Sequence, residues 1–119
     1  MDQANRREST MSLYWRLDGM NKPVPCSSAE FAEMYRDDLS RRVDWTELHT
    51  PSGRVVVSTV FLSLDHSFGD GPPILFETMT FGGQQDGDQC RYRTWDEAVA
   101  GHATVVEGLQ ARYAKDDPV

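Results

Sequence analysis

Cysteine is scarce in this chain. The two present, Cys26 and Cys90, stand far apart, and neither has another Cys or a His at metal-ligand spacing. No zinc motif follows, and a reducing cytoplasmic compartment is the expectation. Basic residues are in deficit, with 12 Lys and Arg against 19 Asp and Glu and a formal net charge of −7. Direct nucleic-acid binding is therefore not expected, because it needs clustered cations. No apolar run approaches the roughly 18 residues of a transmembrane helix. The opening MDQANRREST lacks the apolar core of a signal peptide. Residues 1–12 read as a disordered leader, and Met11 is an alternative start because patterned sequence begins at Leu13.

What remains reads as one domain over residues 13–114, with a frayed tail at 115–119. A hydrophobic fraction of 39% and a charged fraction of 26% are those of an ordinary globular protein. The acidic excess is spread as pairs: Asp37-Asp38, Asp86 with Asp88, Asp96-Glu97 and Asp116-Asp117. Such pairs serve solubility, or form a surface that competes with nucleic acid for a basic partner.

Leu13 to Leu17 is a short strand-like run, closed by the turn dipeptide Asp18-Gly19. Pro23 and Pro25 keep the next stretch extended. Ser27 with Glu30 is a capping box, and Phe31, Met34, Tyr35 and Leu39 follow at helical spacing, predicting a helix at about 28–39. Strands are expected at 42–49, 54–65 and 74–81, the first two joined by the turn Thr50-Pro51-Ser52-Gly53. The segment QQDGDQ reads as a flexible polar loop. Thr94 with Glu97 is a second capping box. It opens a helix over about 95–113 whose apolar stripe is Trp95, Val99, Val106, Leu109 and Tyr113. The sum is an α+β fold, a small antiparallel sheet of three or four strands with two helices packed on one face.

Residues 54–83, RVVVSTVFLSLDHSFGDGPPILFETMTFGG, carry the polar exceptions that draw attention. Asp65, His66 and Glu77 lie in or beside apolar strands, where charge is costly unless paired or ligated. If strands 54–65 and 74–81 pair symmetrically about Asp70, then Asp65 faces Leu75, Ser63 faces Glu77 and Phe61 faces Met79. Asp65 and Glu77 then share a face, a relation that a one-residue slip would reverse. His102 borders the stripe of the last helix. Asp65, His66, Glu77 and His102 together have the donor types of a carboxylate–imidazole metal site, although no pair has helical ligand spacing. The competing reading is a structural hydrogen-bond network around His102. No serine sits in a nucleophile elbow, and Gly69 to Pro73 lacks the phosphate-cradle pattern. Phe68, an aromatic in a polar loop, is either an exposed contact or an anchor folded back on the sheet.

The segments STVFLSLDHSFGDGPPILFETMTFGG and RYRTWDEAVAGH resemble, over Val57 to His102, a widespread group of small uncharacterised proteins of bacteriophages and prophages. LDH, GPP, LFETM, FGG and GH occur in that order, and YWRLDG and PVPC extend the likeness weakly. The resemblance implies no reaction and no cofactor. It implies an accessory protein that binds a host protein, such as a defence complex of the CRISPR kind, through an acidic or loop-centred surface. On that reading Asp65, Phe68, Asp70 and Glu77 are the contact residues. The alternative is a metal-binding protein or metal-dependent enzyme using Asp65, His66, Glu77 and His102. A homodimer through a sheet edge or the last helix is a third expectation.

Overall fold

The computed structural model describes residues 13–67 and 71–116. The fold is α+β. Strands β1 (Trp15–Leu17) and β2 (Pro23–Pro25) form a two-stranded antiparallel ribbon; helix α1 (Ser28–Tyr35) and a 3-10 turn (Asp38–Arg41) follow. A four-stranded antiparallel meander comes next, β3 (Arg42–Thr50), β4 (Gly53–Phe61), β5 (Phe76–Phe81) and β6 (Gln89–Tyr92), in spatial order β3-β4-β5-β6. Helix α2 (Trp95–Asp116) closes the domain and contacts all four strands of the meander. The expected leader at 1–12 and the loop residues Phe68 and Asp70 lie outside the described residues, as do 117–119 of the expected tail.

Both capping boxes form. The Ser27 hydroxyl accepts from the Glu30 amide and the Glu30 carboxylate accepts from the Ser27 amide. Thr94 and Glu97 reciprocate in the same way at α2. Helix α1 stops short of the expected residue 39, because the Asp37 carboxylate accepts from the Leu39 amide and caps a separate 3-10 turn. Two strands went unpredicted. β2 is a Pro-Val-Pro edge, tolerated because proline needs no donor there. β6 emerges from the end of the polar loop as Gln-Cys-Arg-Tyr.

The inner face of the sheet meets α2. Its rows run Leu48–Val55, then Thr46–Val57–Thr80, then Asp44–Thr59–Thr78–Cys90, then Phe61–Phe76–Tyr92. Two apolar clusters result. One gathers Trp15, Phe61, Leu75, Phe76 and Ala98, with Met34 of α1 and Trp95 packed against it; the other gathers Val55, Val57 and Leu109. Burial of Phe61 and Phe76, each at 0% exposure, contributes about 1.5–3 kcal/mol apiece. The expected helix stripe holds at Trp95, Val106, Leu109 and Tyr113 and fails at Val99, which is 42% exposed while Ala98 is fully buried. The line of α2 that faces the sheet is Ala98, His102 and Leu109, all buried, with the partly buried Val105 between the last two.

The expected β4–β5 register is also corrected. Phe61 pairs with Phe76, Val60 with Glu77 and Ser58 with Met79. The symmetric register holds only at the loop mouth, where the His66 amide donates to Ile74 O. Between these points β4 spends three extra residues. Ser63 takes φ of +65°, its carbonyl accepts from the Trp15 amide, and the Asp65 amide donates to Leu13 O. Residues 63–65 thus leave β5 and stitch the β1 segment onto the sheet. A shift of three is odd, so it reverses every facing relation that the symmetric register implies.

Gly101 lets Tyr92 lie against α2, since a Cβ there would land on the Tyr92 ring. Gly101→Ala is expected to destabilise the domain by about 1–3 kcal/mol through overpacking, despite the higher helix propensity of alanine. Urea denaturation checks this, and a midpoint equal to or above wild type would contradict the packing described.

Candidate functional site

Three places hold the polar chemistry of the described residues. The first is the middle row of the inner face. Thr59, Thr78 and His102 are buried at 0%, 1% and 2% exposure, between the two apolar clusters. Tyr92 Oη donates to Thr78 Oγ1 at 3.1 Å, Thr78 Oγ1 and Thr59 Oγ1 lie 2.5 Å apart, and Thr59 Oγ1 is 2.7 Å from His102 Nδ1. Each hydroxyl has one proton to give. With Tyr92 donating, the Thr78 proton goes to Thr59 and the Thr59 proton goes to His102 Nδ1. That leaves no unused donor, whereas the reverse direction strands the Thr78 proton. His102 is therefore the neutral Nε2–H tautomer, and Nε2 donates to Thr46 Oγ1 at 2.9 Å with Asp44 Oδ2 at 3.7 Å. The chain ties β6, β5, β4, α2 and β3 together in that order.

Burial holds the His102 imidazole below its ordinary value of 6.5, with the Asp44 carboxylate pulling the other way. Carboxylate, imidazole and hydroxyl in sequence have the parts of a nucleophilic triad, but Thr59 is fully buried and meets no substrate. The chemistry of the row is structural.

The second place is the loop mouth. Asp65 Oδ1 accepts from the Ser67 amide at 2.8 Å, the Ser67 hydroxyl at 2.7 Å and the Ile74 amide at 3.0 Å. Partial burial works to raise its pKa, but the hydrogen bonds from Ser67 and Ile74 and the nearby His66 hold it below 3.8. Asp65 is thus committed to fixing the base of the loop.

The third place is the outer face. Its rows run Arg42–Val60–Glu77–Arg91, Trp45–Ser58–Met79–Gln89 and Glu47–Val56–Phe81. Among the described residues neither helix lies over it: α2 is on the inner side and α1 contacts β1 and the 3-10 turn. Trp45 is 39% exposed and Phe81 46%. The centre is apolar and the margin is charged. Arg42 sits 4.4 Å over the Trp45 ring, Arg54 pairs with Glu47 at 2.7 Å, and Arg91 pairs with Glu77 at 3.0 Å.

The four residues of the expected metal site are not brought together. Glu77 is on the outer face with Arg91, His102 is on the sheet-facing side of α2, and Asp65 is bound within the loop mouth beside His66. The register shift at Ser63 is the cause of the first separation. Among the described residues no three His, Cys, Asp or Glu converge as metal ligands. Thr46, Thr59 and Thr78 carry the His102 chemistry without having drawn attention in the sequence; inward alternation in β4 and β5 was their one legible signal. Comparison with protein-family models, with curated proteins and with solved structures returns no match, so the surfaces are read from their own chemistry.

A pH dependence follows from His102. Its folded pKa is lowered, so the unfolded chain takes up the proton first. Stability is complete above about 6.5 and declines as pH falls below it, toward the folded pKa. In urea titrations between about pH 7 and pH 5.5, wild type should lose stability more steeply than His102→Gln, which keeps His49 and His66. Parallel pH profiles would show that the imidazole is not held neutral.

Proposed function

We propose that this protein is a non-catalytic accessory protein of phage type that binds a bacterial host protein, such as a defence complex. The open sheet face supports this reading most directly. Stable protein interfaces place aromatic, Met and Arg side chains at a desolvated centre within a polar margin. Here Trp45, Val60, Met79 and Phe81 form the centre over the buried Val56, with Arg42 and the pairs Glu47–Arg54 and Glu77–Arg91 around it. The extended sheet face suits a protein surface better than a small ligand. A net charge of −7 disfavours a second copy as the occupant and favours a basic partner. Glu77 belongs to this surface, and Phe68 and Asp70 are proposed as further contact residues. Asp65 acts on the interface only by fixing the base of that loop.

Quantitative affinity capture with three chains tests the reading: wild type, Trp45→Ala with Phe81→Ala, and Phe68→Ala with Asp70→Lys. A stoichiometric partner held by wild type should be lost from the sheet-face variant, with affinity down at least about 100-fold by calorimetry of the purified pair, as expected for two aromatic anchors. Retention of that partner by the sheet-face variant would place the contact elsewhere. A wild-type dimer in sedimentation that the same two substitutions dissolve would make a second copy the occupant.

A further inference from the structure

A cleft of about 420 Å³ opens where the β1–β2 ribbon, the residues preceding β5 and the start of α2 meet. Its floor is Trp15 and Leu75, at 8% and 0% exposure, and its walls include Trp95 and Pro73. Lys22 and Arg93 line it as well, with Asp96 the one acidic side chain among the lining residues. None of these residues belongs to the outer sheet face.

The ribbon turn on its rim is firmly built. Asp18 Oδ1 accepts from the Met20 and Lys22 amides at 2.8 and 2.9 Å, the Asp18 amide donates to Lys22 O, and Asn21 takes φ of +62°. This fixed turn carries Met20 at 88% exposure, an apolar side chain held beside the opening. Met is the side chain best able to adapt to an irregular apolar guest.

The cations are the discriminating feature. Arg16, Arg54 and Arg91 each pair with a carboxylate, and Arg42 rests on a tryptophan ring. Among the described residues neither Lys22 nor Arg93 forms an ion pair; Arg93 Nε donates to Pro72 O at 3.3 Å, which leaves the terminal guanidinium nitrogens free to bind. Neither is in a salt bridge among the described residues, and Lys22 feels only the field of the nearby Asp18 carboxylate. In a chain of net charge −7, two such cations at one apolar opening beside two tryptophans favour an anion with an apolar body. The volume is that of a small-ligand pocket, apolar walls with few polar groups.

We propose that this cleft binds a small organic anion with a flat aromatic body, its ring between Trp15, Trp95 and Pro73 and its charge toward Lys22 and Arg93. The probe is 8-anilinonaphthalene-1-sulfonate, titrated into nitrogen-15-labelled protein. The three tryptophans give three indole N–H resonances, assigned with Trp45→Phe. Saturable one-to-one binding should move the Trp15 and Trp95 resonances and leave that of Trp45 in place. Lys22→Glu, at an exposed position, should weaken binding at least about tenfold. Neutral N-phenyl-1-naphthylamine should bind more weakly to wild type and equally to both chains. The proposal is overturned if Trp45 responds while Trp15 and Trp95 do not, if binding fails to saturate, or if Lys22→Glu binds the sulfonate as well as wild type does. Shifts of Trp15 and Trp95 with an acidic aromatic peptide but not with the sulfonate would make the cleft a peptide anchor and overturn the small-ligand assignment.

Discussion

A file of hydroxyl groups crossing the sheet, ending on one imidazole, is the constraint on which this domain depends. Tyr92, Thr78, Thr59, His102 and Thr46 form a chain in which each proton has one acceptor. The row lies between two apolar clusters that would otherwise merge into one featureless core. Apolar side chains of similar volume would fill the same space, but they would not distinguish one strand register from another. A buried hydroxyl left without a partner costs about 1–3 kcal/mol, so a slip of any strand is penalised at several positions at once. The seam thus gives the meander and its covering helix a single arrangement.

That arrangement has a consequence for the opposite surface. Fixing Thr59 and Thr78 inward turns Val56, Ser58 and Val60 of β4, and Glu77, Met79 and Phe81 of β5, outward. The outer face is therefore set by the same strand register as the core. Its apolar side chains are displayed on hydrogen-bonded strands and need little reordering on association, which lowers the entropic cost of binding. The ion pairs at its margin are exposed and contribute little to stability. Their positions suit a polar rim around an apolar centre. The irregular parts of the fold lie at one end, where the residues after β4 detach from β5 and capture the β1 segment. The cleft between the ribbon and α2 forms at that end, so the regular and irregular halves of the molecule present different surfaces.

Local signals in the sequence are reliable here and long-range ones are not. Ser27, Glu30, Thr94 and Glu97 mark both helix starts because a capping box is complete within four residues. The Val-rich run of β4 and the Thr50-Pro51-Ser52-Gly53 turn likewise carry their meaning locally. The register of β5 fails because it depends on Ser63, a non-glycine residue at positive φ whose carbonyl and hydroxyl are claimed by Trp15, far away in sequence. His102 stands out in sequence, but its partners do not. Thr46, Thr59 and Thr78 are ordinary strand residues until the fold places them in one row. Lys22 and Arg93 are ordinary surface charges until the ribbon and the helix start are brought together. Asp65 and Glu77, conspicuous as charges in apolar strands, are satisfied by Ser67, Ile74 and Arg91 within the fold.

The protonation of His102 tests the central claim most directly. A long-range nitrogen-15 correlation spectrum of the histidine side chains should show His102 as neutral at pH 7, with Nε2 protonated and Nδ1 bare. That state should persist below the ordinary value of 6.5 at which a free imidazole is half protonated. A proton on Nδ1 at pH 7, or half protonation at or above pH 6.5, would contradict the account of what sets the sheet.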